Sequence, residues 1–144
     1  MDDRITRICK GLKGLKFFDS SSNSHFSKSE RPYWVFCGFQ MYQGHKERAE
    51  AHEVFCGTNS SLRQISSCGF SNTYGVDTSA YNRLLEYYKK LAKTRFVVSP
   101  LGVGLDSYRS WESLYLGAYP IVRTSSLDEL YENLPVRKAN NFFI

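Results

Sequence analysis

Residues 96–122 read FVVSPLGVGLDSYRSWESLYLGAYPIV, and several structural patterns follow one another within them. The run 96–98 is apolar and β-branched, which is typical of a strand buried on both faces. The next segment, which ends at Leu105, contains one proline and two glycines, so the chain is expected to turn sharply. Residues 107–116 carry apolar side chains at helical spacing after Asp106, the predicted N-cap. A second strand is predicted from Tyr119 to Val122.

A strand, a glycine turn, a helix and a second strand form a βαβ unit, which offers an anion site. The first amides of its helix lack intrahelical partners, and the helix dipole is positive at that end. Gly102 and Gly104 carry no side chain, so a diphosphate can approach the backbone closely. Arg109 in the first turn can donate a forked hydrogen bond to phosphate. Glu112, three residues further on, lies beside it and can accept hydrogen bonds from ribose hydroxyls. This order suits a nucleoside diphosphate.

A purely structural interpretation of the same residues remains open. Gly-x-Gly turns occur in many folds that bind no ligand. Arg109 and Glu112 would then pair with each other on a solvated helix surface, where such a pair contributes roughly 0.3–0.5 kcal/mol.

The pattern Ser-Pro-x-Gly-x-Gly-x-Asp-x-x-Arg-x-Trp-Glu-x-Leu-x-x-Gly-x-x-Pro-Ile-Val, residues 99–122, resembles the donor-site signature of exostosin-like glycosyltransferases. Related enzymes share their two-Rossmann-domain (GT-B) architecture. The likeness continues through 126–131 and 134–136, so that it covers roughly residues 85–136. In that family the C-terminal Rossmann-like domain binds the nucleotide sugar. The resemblance therefore implies the nucleotide-sugar half of such an enzyme.

The resemblance also implies roles for individual residues. By motif position Glu112 would bind the ribose, while Arg109 and the turn 102–106, which includes Asp106, would face the diphosphate. Ser125 or Ser126 would contact the sugar or phosphate, although Ser126 fits equally well as a helix cap with Glu129. The chain departs from the pattern at Val103 and Tyr108, where relatives usually have polar residues.

A second strand–loop–helix unit precedes this one. An aromatic and apolar run at 33–39 predicts a strand, 40–44 a turn, and 45–55 a helix that ends with Gly57 as its C-cap. The resemblance, weaker here, places Arg48 in the crevice that Arg109 faces. The alternative is that Arg48, like its charged neighbours Lys46, Glu47 and Glu50, is an ordinary solvated helix residue.

The remaining elements complete an alternating pattern. Residues 62–65 are a possible short strand, and Asp77 or Thr78 begins a helix with one apolar stripe, formed by Tyr81, Leu84, Leu85, Tyr88, Leu91 and Ala92. A short helix is predicted from Ser126 to about Glu132, and a last strand within 136–144. Alternation of strands and helices predicts an α/β fold with a Rossmann-like parallel sheet and helices on both faces. Loops that follow parallel strands meet at one edge, where ligands bind.

Composition bounds the domain organisation and the partners. The chain has 144 residues and a net charge of +5, which allows one domain with a proper core. Residues 1–30 are predicted to be a poorly structured segment, with a short helix in 1–16 and a Ser-rich linker, and 31–144 the folded domain. The basic residues form no dense stripe, which argues against nucleic acid. No run reaches the ~20 apolar residues of a membrane span, and no leader opens the chain, so a cytoplasmic location is the default expectation.

Cysteine and histidine give little indication of a metal site. The four cysteines lie far apart with no Cys-x-x-Cys pair, at Cys9, Cys37, Cys56 and Cys68. Zinc ligands usually come in close pairs, so zinc is not expected, and a disulfide remains possible. Cys37 lies in an apolar run and is interpreted as a small buried residue. His45 and His52 share a helix face but lack a third ligand.

The sequence thus predicts a glycosyltransferase donor domain that binds a nucleoside diphosphate sugar as substrate. Helix amides and cations would stabilise the departing diphosphate, so no metal or other cofactor is required in principle. No catalytic residue can be nominated, and the acceptor-binding half is expected from another domain or a partner chain. The alternatives are a non-catalytic nucleotide-binding or regulatory module of the same descent, and an unrelated Rossmann-like phosphate binder or structural protein.

Overall fold

A computed structural model of the chain describes residues 31–41, 46–69 and 78–140. In chain order the elements are β1 (Tyr33–Cys37), α1 (Lys46–Cys56), β2 (Ser66–Cys68), α2 (Thr78–Ala92), β3 (Thr94–Val98), α3 (Tyr108–Tyr115), β4 (Tyr119–Arg123), a 3-10 helix (Asp128–Tyr131) and β5 (Arg137–Ala139). The five strands form one sheet in the order β2-β1-β3-β4-β5, and every neighbouring pair is parallel. This arrangement confirms the predicted α/β, Rossmann-like fold.

The centre of the sheet is formed by β1 and β3, which pair with Val35 opposite Phe96 and Phe36 opposite Val97. Val97 and Val98 are completely buried. Where strands are covered on both faces, side chains are shielded on either side, which explains why 35–37 and 96–98 are continuously apolar instead of alternating.

The helices cover both faces of the sheet. Successive side chains of a strand point to opposite faces, and the two cores divide accordingly. Phe36 and Val97 belong to a core with Tyr87 and Leu91 of α2. Val35, Cys37 and Val98 belong to a second core with Ala51 and Phe55 of α1. The helix α1 therefore lies on one face and α2 on the other, and α3 adds Leu116, just after its last turn, to the α2 side.

Both ends of α3 are capped. The N-cap is Ser107, whose hydroxyl accepts a hydrogen bond from the Arg109 amide, so the prediction of Asp106 as the cap is wrong by one residue. At the other end Gly117 has φ 73°, the left-handed conformation that glycine adopts without strain. The Ala118 amide then donates to the Ser113 carbonyl, which completes a Schellman motif and directs the chain into β4.

Two local predictions are corrected, and several others fall outside the described residues. Residues 62–65 form turns, and the strand is the adjacent 66–68, a short polar edge strand whose pattern gives no apolar signal. Gly57 follows the last residue of α1 as predicted, but its φ is not positive, and its amide donates to the Glu53 carbonyl. The helix predicted in 1–16, the Ser-rich linker, His45 and Asp77 lie outside the described ranges.

The cysteines of the folded part have different states. Cys56, at the end of α1, forms a disulfide with Cys68, at the end of β2, with their Cα atoms 5.8 Å apart. The sequence left this pairing open because only the fold brings the two residues together. Cys37 is free and buried, as predicted. Its burial raises the pKa of the thiol to about 12, and the nearby Arg109 guanidinium offsets only part of that rise.

We expect Cys37 to be chemically inert in the folded protein. The thiolate is the reactive form, and a raised pKa leaves almost none of it at pH 8. In a Cys9→Ser background, a chromogenic disulfide reagent is expected to leave the native thiol unmodified over hours and to modify one thiol within seconds in guanidinium chloride. Rapid labelling of the native protein would contradict the burial of this residue.

Candidate functional site

The topology places a crevice between the carboxyl ends of β1 and β3. From β1 the chain passes through α1 to β2 on one side, whereas from β3 it passes through α3 to β4 on the other. Loops that depart in opposite directions leave an opening between them, where ligands of doubly wound sheets bind. The loops after these two strands, which the sequence predicted to converge, both begin at this point.

The glycine loop, residues 101–105, forms one wall of the crevice. The Gly102 amide donates to the Asp106 carbonyl over 3.2 Å and closes the loop on itself. A Cβ atom on Gly102 would lie 2.8 Å from that oxygen, so the closure requires glycine. A Cβ atom on Gly104 would make only an ordinary van der Waals contact, 3.8 Å from Asp106 Oδ1, and Val103 is fully exposed.

A cavity of about 460 Å³ opens between the glycine loop and the first turn of α1. Its remaining lining residues are Lys46, Glu47, Arg48 and Arg123. The predicted residues Gly102, Gly104 and Arg48 are therefore brought together here. Cavities of some 300–1,000 Å³ are typical of small-molecule sites.

Arg48 is buried and joins the two loops of the crevice. Its Nε donates to the Leu101 carbonyl over 2.9 Å, and its Nη1 donates to the Gln40 carbonyl over 2.8 Å. A guanidinium has donors in a fixed planar fork, which suits two acceptors on different segments. Arg48 thus lines the cavity, and its Nε and Nη1 atoms hold the two loops together.

Glu47 and Arg123 form a charged pair in the same cavity. The Glu47 side chain is only 9% exposed, and its Oε2 lies 3.6 Å from Nη1 of Arg123, whose side chain is 40% exposed. The other oxygen of Glu47 accepts the Leu101 amide over 3.0 Å. Lys46, with a side chain 89% exposed and 3.6 Å from Glu50, adds a cation at the rim. The cavity is therefore lined by cationic side chains and one buried carboxylate.

Arg109 extends from α3 toward the end of β1. Its Nη2 donates to the Gly38 carbonyl over 2.7 Å, and the guanidinium lies 5.9 Å from the centre of the Phe39 ring. Its Nε is buried and makes no hydrogen bond within the described part of the chain. The alternative interpretation, a solvated pair of Arg109 with Glu112, is not the observed arrangement, because the guanidinium is directed to the Gly38 carbonyl at the sheet edge.

Glu112 binds two tyrosines of α2. Its Oε2 accepts the Tyr87 hydroxyl over 3.1 Å, and its Oε1 accepts the Tyr88 hydroxyl over 2.6 Å. Burial raises the pKa of Tyr87 far above its usual range, the nearby Arg109 opposes that rise, and the Glu112 charge and hydrogen bond add to it. Tyr87 therefore remains a neutral donor that fixes the carboxylate. Neither Arg109 nor Glu112 is among the residues that line the cavity.

The last two predicted residues serve local structure. Asp106 is exposed, and its Oδ2 accepts the Trp111 indole N–H over 3.3 Å. Ser125 accepts the Leu127 amide at its hydroxyl over 3.2 Å and donates its own amide to Asp128 Oδ1 over 3.0 Å. This reciprocal pair replaces the capping box predicted one residue later, because the turn begins at Ser125.

Sequence reasoning did not select Glu47 and Arg123 for the site. Arg123 is the last residue of β4, so its place at the carboxyl edge of a parallel strand was a usable signal. Glu47 gave none, because an acidic residue in the first helical turn is common for dipole reasons alone.

The described residues hold no group of three or more His, Cys, Asp or Glu side chains arranged for a metal ion. Within the same ranges no helix is long and apolar enough to cross a membrane. Neither a scan against protein-family models nor a search of curated proteins finds a match to this sequence.

Proposed function

We propose that this chain binds a nucleoside diphosphate sugar in the crevice between β1 and β3, as the donor-binding domain of a GT-B-type glycosyltransferase. An acceptor-binding domain or partner chain would complete the enzyme for transfer to an acceptor hydroxyl. The observation that carries the proposal is the cavity at the topological switch point, which is lined by a glycine loop and by three cationic residues, Lys46, Arg48 and Arg123. The exostosin-like motif supplies the loop and the helix that follows it.

The groups in the cavity suit the chemistry of a donor diphosphate. Gly104 leaves room for a phosphate oxygen to approach the backbone. Lys46 and Arg123 supply positive charge where the diphosphate would leave with a developing negative charge. Fixed donors and cations placed around such a leaving group stabilise the transition state.

Arg109 and Glu112 belong to the helix that follows the glycine loop and lie outside the cavity lining. Arg109 fixes the end of β1 through the Gly38 carbonyl, while Glu112 is oriented by two hydroxyls. A carboxylate oxygen has two lone pairs, so each Glu112 oxygen retains an acceptor site for a ribose hydroxyl. The implied ribose contact is therefore part of the proposal, with the tyrosines as its support.

A steric block at Gly104 tests the proposal by calorimetric titration with UDP, GDP, ADP and inorganic diphosphate. The wild-type chain is expected to prefer one nucleotide, and Gly104→Val to weaken that binding by about tenfold or more, a loss of one charge-assisted hydrogen bond. A Cβ atom at this position makes only an ordinary van der Waals contact, 3.8 Å from Asp106 Oδ1, in the free protein. The melting temperature should therefore remain near that of the wild type.

Gly69→Val is the matched control, because Gly69 follows β2 and lies outside this cavity. Its nucleotide affinity is expected to equal that of the wild type. Absence of binding to all four compounds by the folded wild-type protein would exclude a donor site. Equal affinities of the two valine variants would place the nucleotide elsewhere on the chain.

A non-catalytic, nucleotide-binding module is the second candidate. It is favoured by the commitment of Arg48, Arg109 and Glu112 to partners within the protein. Such a module would bind the nucleotide with the same dependence on Gly104. It would transfer no sugar when an acceptor domain is supplied on the same polypeptide, whereas a donor domain would.

A further inference from the structure

The carboxylate of Glu47 is incompletely satisfied. Its side chain is about nine-tenths buried, and among the described residues Oε1 alone has a hydrogen-bond donor, the Leu101 amide. Oε2 is buried without a hydrogen-bond partner among the described residues. A buried, ionised oxygen without a donor is costly, and such groups are usually satisfied by a ligand, an ion or a water molecule.

The nearest cation does not satisfy this oxygen. Arg123 Nη1 lies 3.6 Å from Oε2, beyond hydrogen-bond distance, although close enough for charge attraction. A guanidinium has five N–H donors, and this one is partly exposed at the end of β4 beside the glycine loop. It is therefore placed to bind an acceptor that enters the cavity.

We infer that Glu47 and Arg123 are the ligand-binding pair of this cavity. Arg123 binds a phosphate oxygen, and Glu47 Oε2 accepts a hydrogen bond from a sugar hydroxyl of the same molecule. The inference rests on the proposed function and adds two contacts that the family motif does not include. It assigns recognition of a phosphorylated sugar to the side of the crevice that α1 and β4 form.

The two contacts depend on each other. A carboxylate alone would repel a phosphate, and Arg123 alone would accept any anion. Together they favour a molecule that carries both an anionic acceptor and a hydroxyl donor. When Arg123 turns toward a phosphate, it moves away from Oε2, and the carboxylate becomes accessible to the hydroxyl. Oε1 meanwhile keeps the glycine loop in place through Leu101.

Two substitutions separate these contacts in calorimetric titrations with inorganic diphosphate, UDP, UDP-glucose, GDP and GDP-mannose. Arg123→Met is expected to weaken the binding of every compound by about tenfold, since it removes the side chain that donates a hydrogen bond to phosphate. Glu47→Gln keeps an acceptor for the Leu101 amide but removes the charge. It is expected to weaken the binding of the sugar-containing compounds by about tenfold. The affinity for diphosphate should be unchanged or higher.

The controls are Arg137→Met and Glu129→Gln, exposed residues outside the cavity, which are expected to bind every compound like the wild type. Circular dichroism and the melting temperature confirm folding. If Glu47→Gln already lowers the affinity for UDP or GDP, the hydroxyl that Glu47 binds belongs to the ribose. A loss present only with the sugar nucleotides assigns it to the transferred sugar, and both results support the inference.

Other results overturn it. If Glu47→Gln weakens diphosphate as much as the nucleotides, Glu47 only positions the loop. If the wild type binds a nucleotide and both variants bind it equally well, the donor site stands and this assignment fails. If the folded wild type binds none of the five compounds, the proposed function fails and the inference fails with it.

Discussion

Replacing Arg48 with methionine is expected to lower the free energy of unfolding by about 3 kcal/mol, because two part-buried carbonyls each lose a charged donor, at a cost of about 1–3 kcal/mol each. Methionine retains most of the aliphatic stem, so packing is largely preserved. The Gln40 and Leu101 carbonyls lose their donor, and the loops after β1 and β3 lose their direct link. The substitution should therefore also weaken nucleotide binding.

Guanidinium chloride unfolding followed by circular dichroism measures this effect. Arg137→Met removes an exposed arginine from the edge strand β5 and should change the free energy of unfolding by no more than about 0.5 kcal/mol. Arg48→Lys should recover little, because an ammonium lacks the planar fork that reaches two acceptors. An Arg48→Met protein as stable as the wild type would show that the loops are held by other contacts.

The fold was predictable where local patterns are strong. The run 96–98 and the strand after it are apolar because parallel central strands are buried on both faces, and both lie within the observed β3 and β4. The edge strand β2 has the sequence Ser66-Ser67-Cys68 and is half-exposed, so its strand state depends on pairing with β1. No local pattern records that pairing.

The candidate site was predictable only in part, for a related reason. Gly102 and Gly104 lie in the loop after β3, as a glycine turn after a predicted strand leads one to expect, and both line the cavity. Helical spacing also placed Arg109 and Glu112 side by side, but their partners are 71 and 25 residues away in the chain, at Gly38 and Tyr87. Spacing within one helix gives no information on which hydrogen-bond partners the neighbouring strands and helices provide.

The exact N-cap residue of a helix was also not predictable from the sequence. Asp106 and Ser107 are both good N-caps, as are Ser125 and Ser126, and the sequence does not distinguish adjacent candidates. The structure selects Ser107 because the Asp106 carbonyl closes the glycine loop and its side chain accepts the Trp111 N–H. The choice of cap is thus determined by the loop that precedes the helix.

The disulfide bears on the environment in which the chain works. Disulfides persist in oxidising compartments and are rare in the cytosol. The Cys56–Cys68 bond therefore favours an oxidising environment over the cytoplasmic default expected from the sequence. It also ties the end of α1 to the edge of the sheet, opposite the end of α1 that lines the cavity.

Removal of that disulfide is expected to cost about 3 kcal/mol of unfolding free energy, the chain-entropy value for a loop of this length. The two cysteines are 12 residues apart, and the bond restrains an edge strand of only three residues. In a Cys9→Ser background, Cys56→Ser/Cys68→Ser should shift the guanidinium midpoint down. Dithiothreitol should shift the parent protein by a similar amount.

Dithiothreitol on the double variant is the control and should have no further effect, since Cys37 is the cysteine that remains and it is buried. The edge strand should also lose amide-exchange protection before β1 and β3 do, because it depends on the bond and on one neighbour. Affinity for the nucleotide should fall less than stability, because the disulfide lies at the far end of α1 from the cavity. Equal midpoints for the oxidised parent, the reduced parent and the double variant would show that the fold holds β2 without the covalent link.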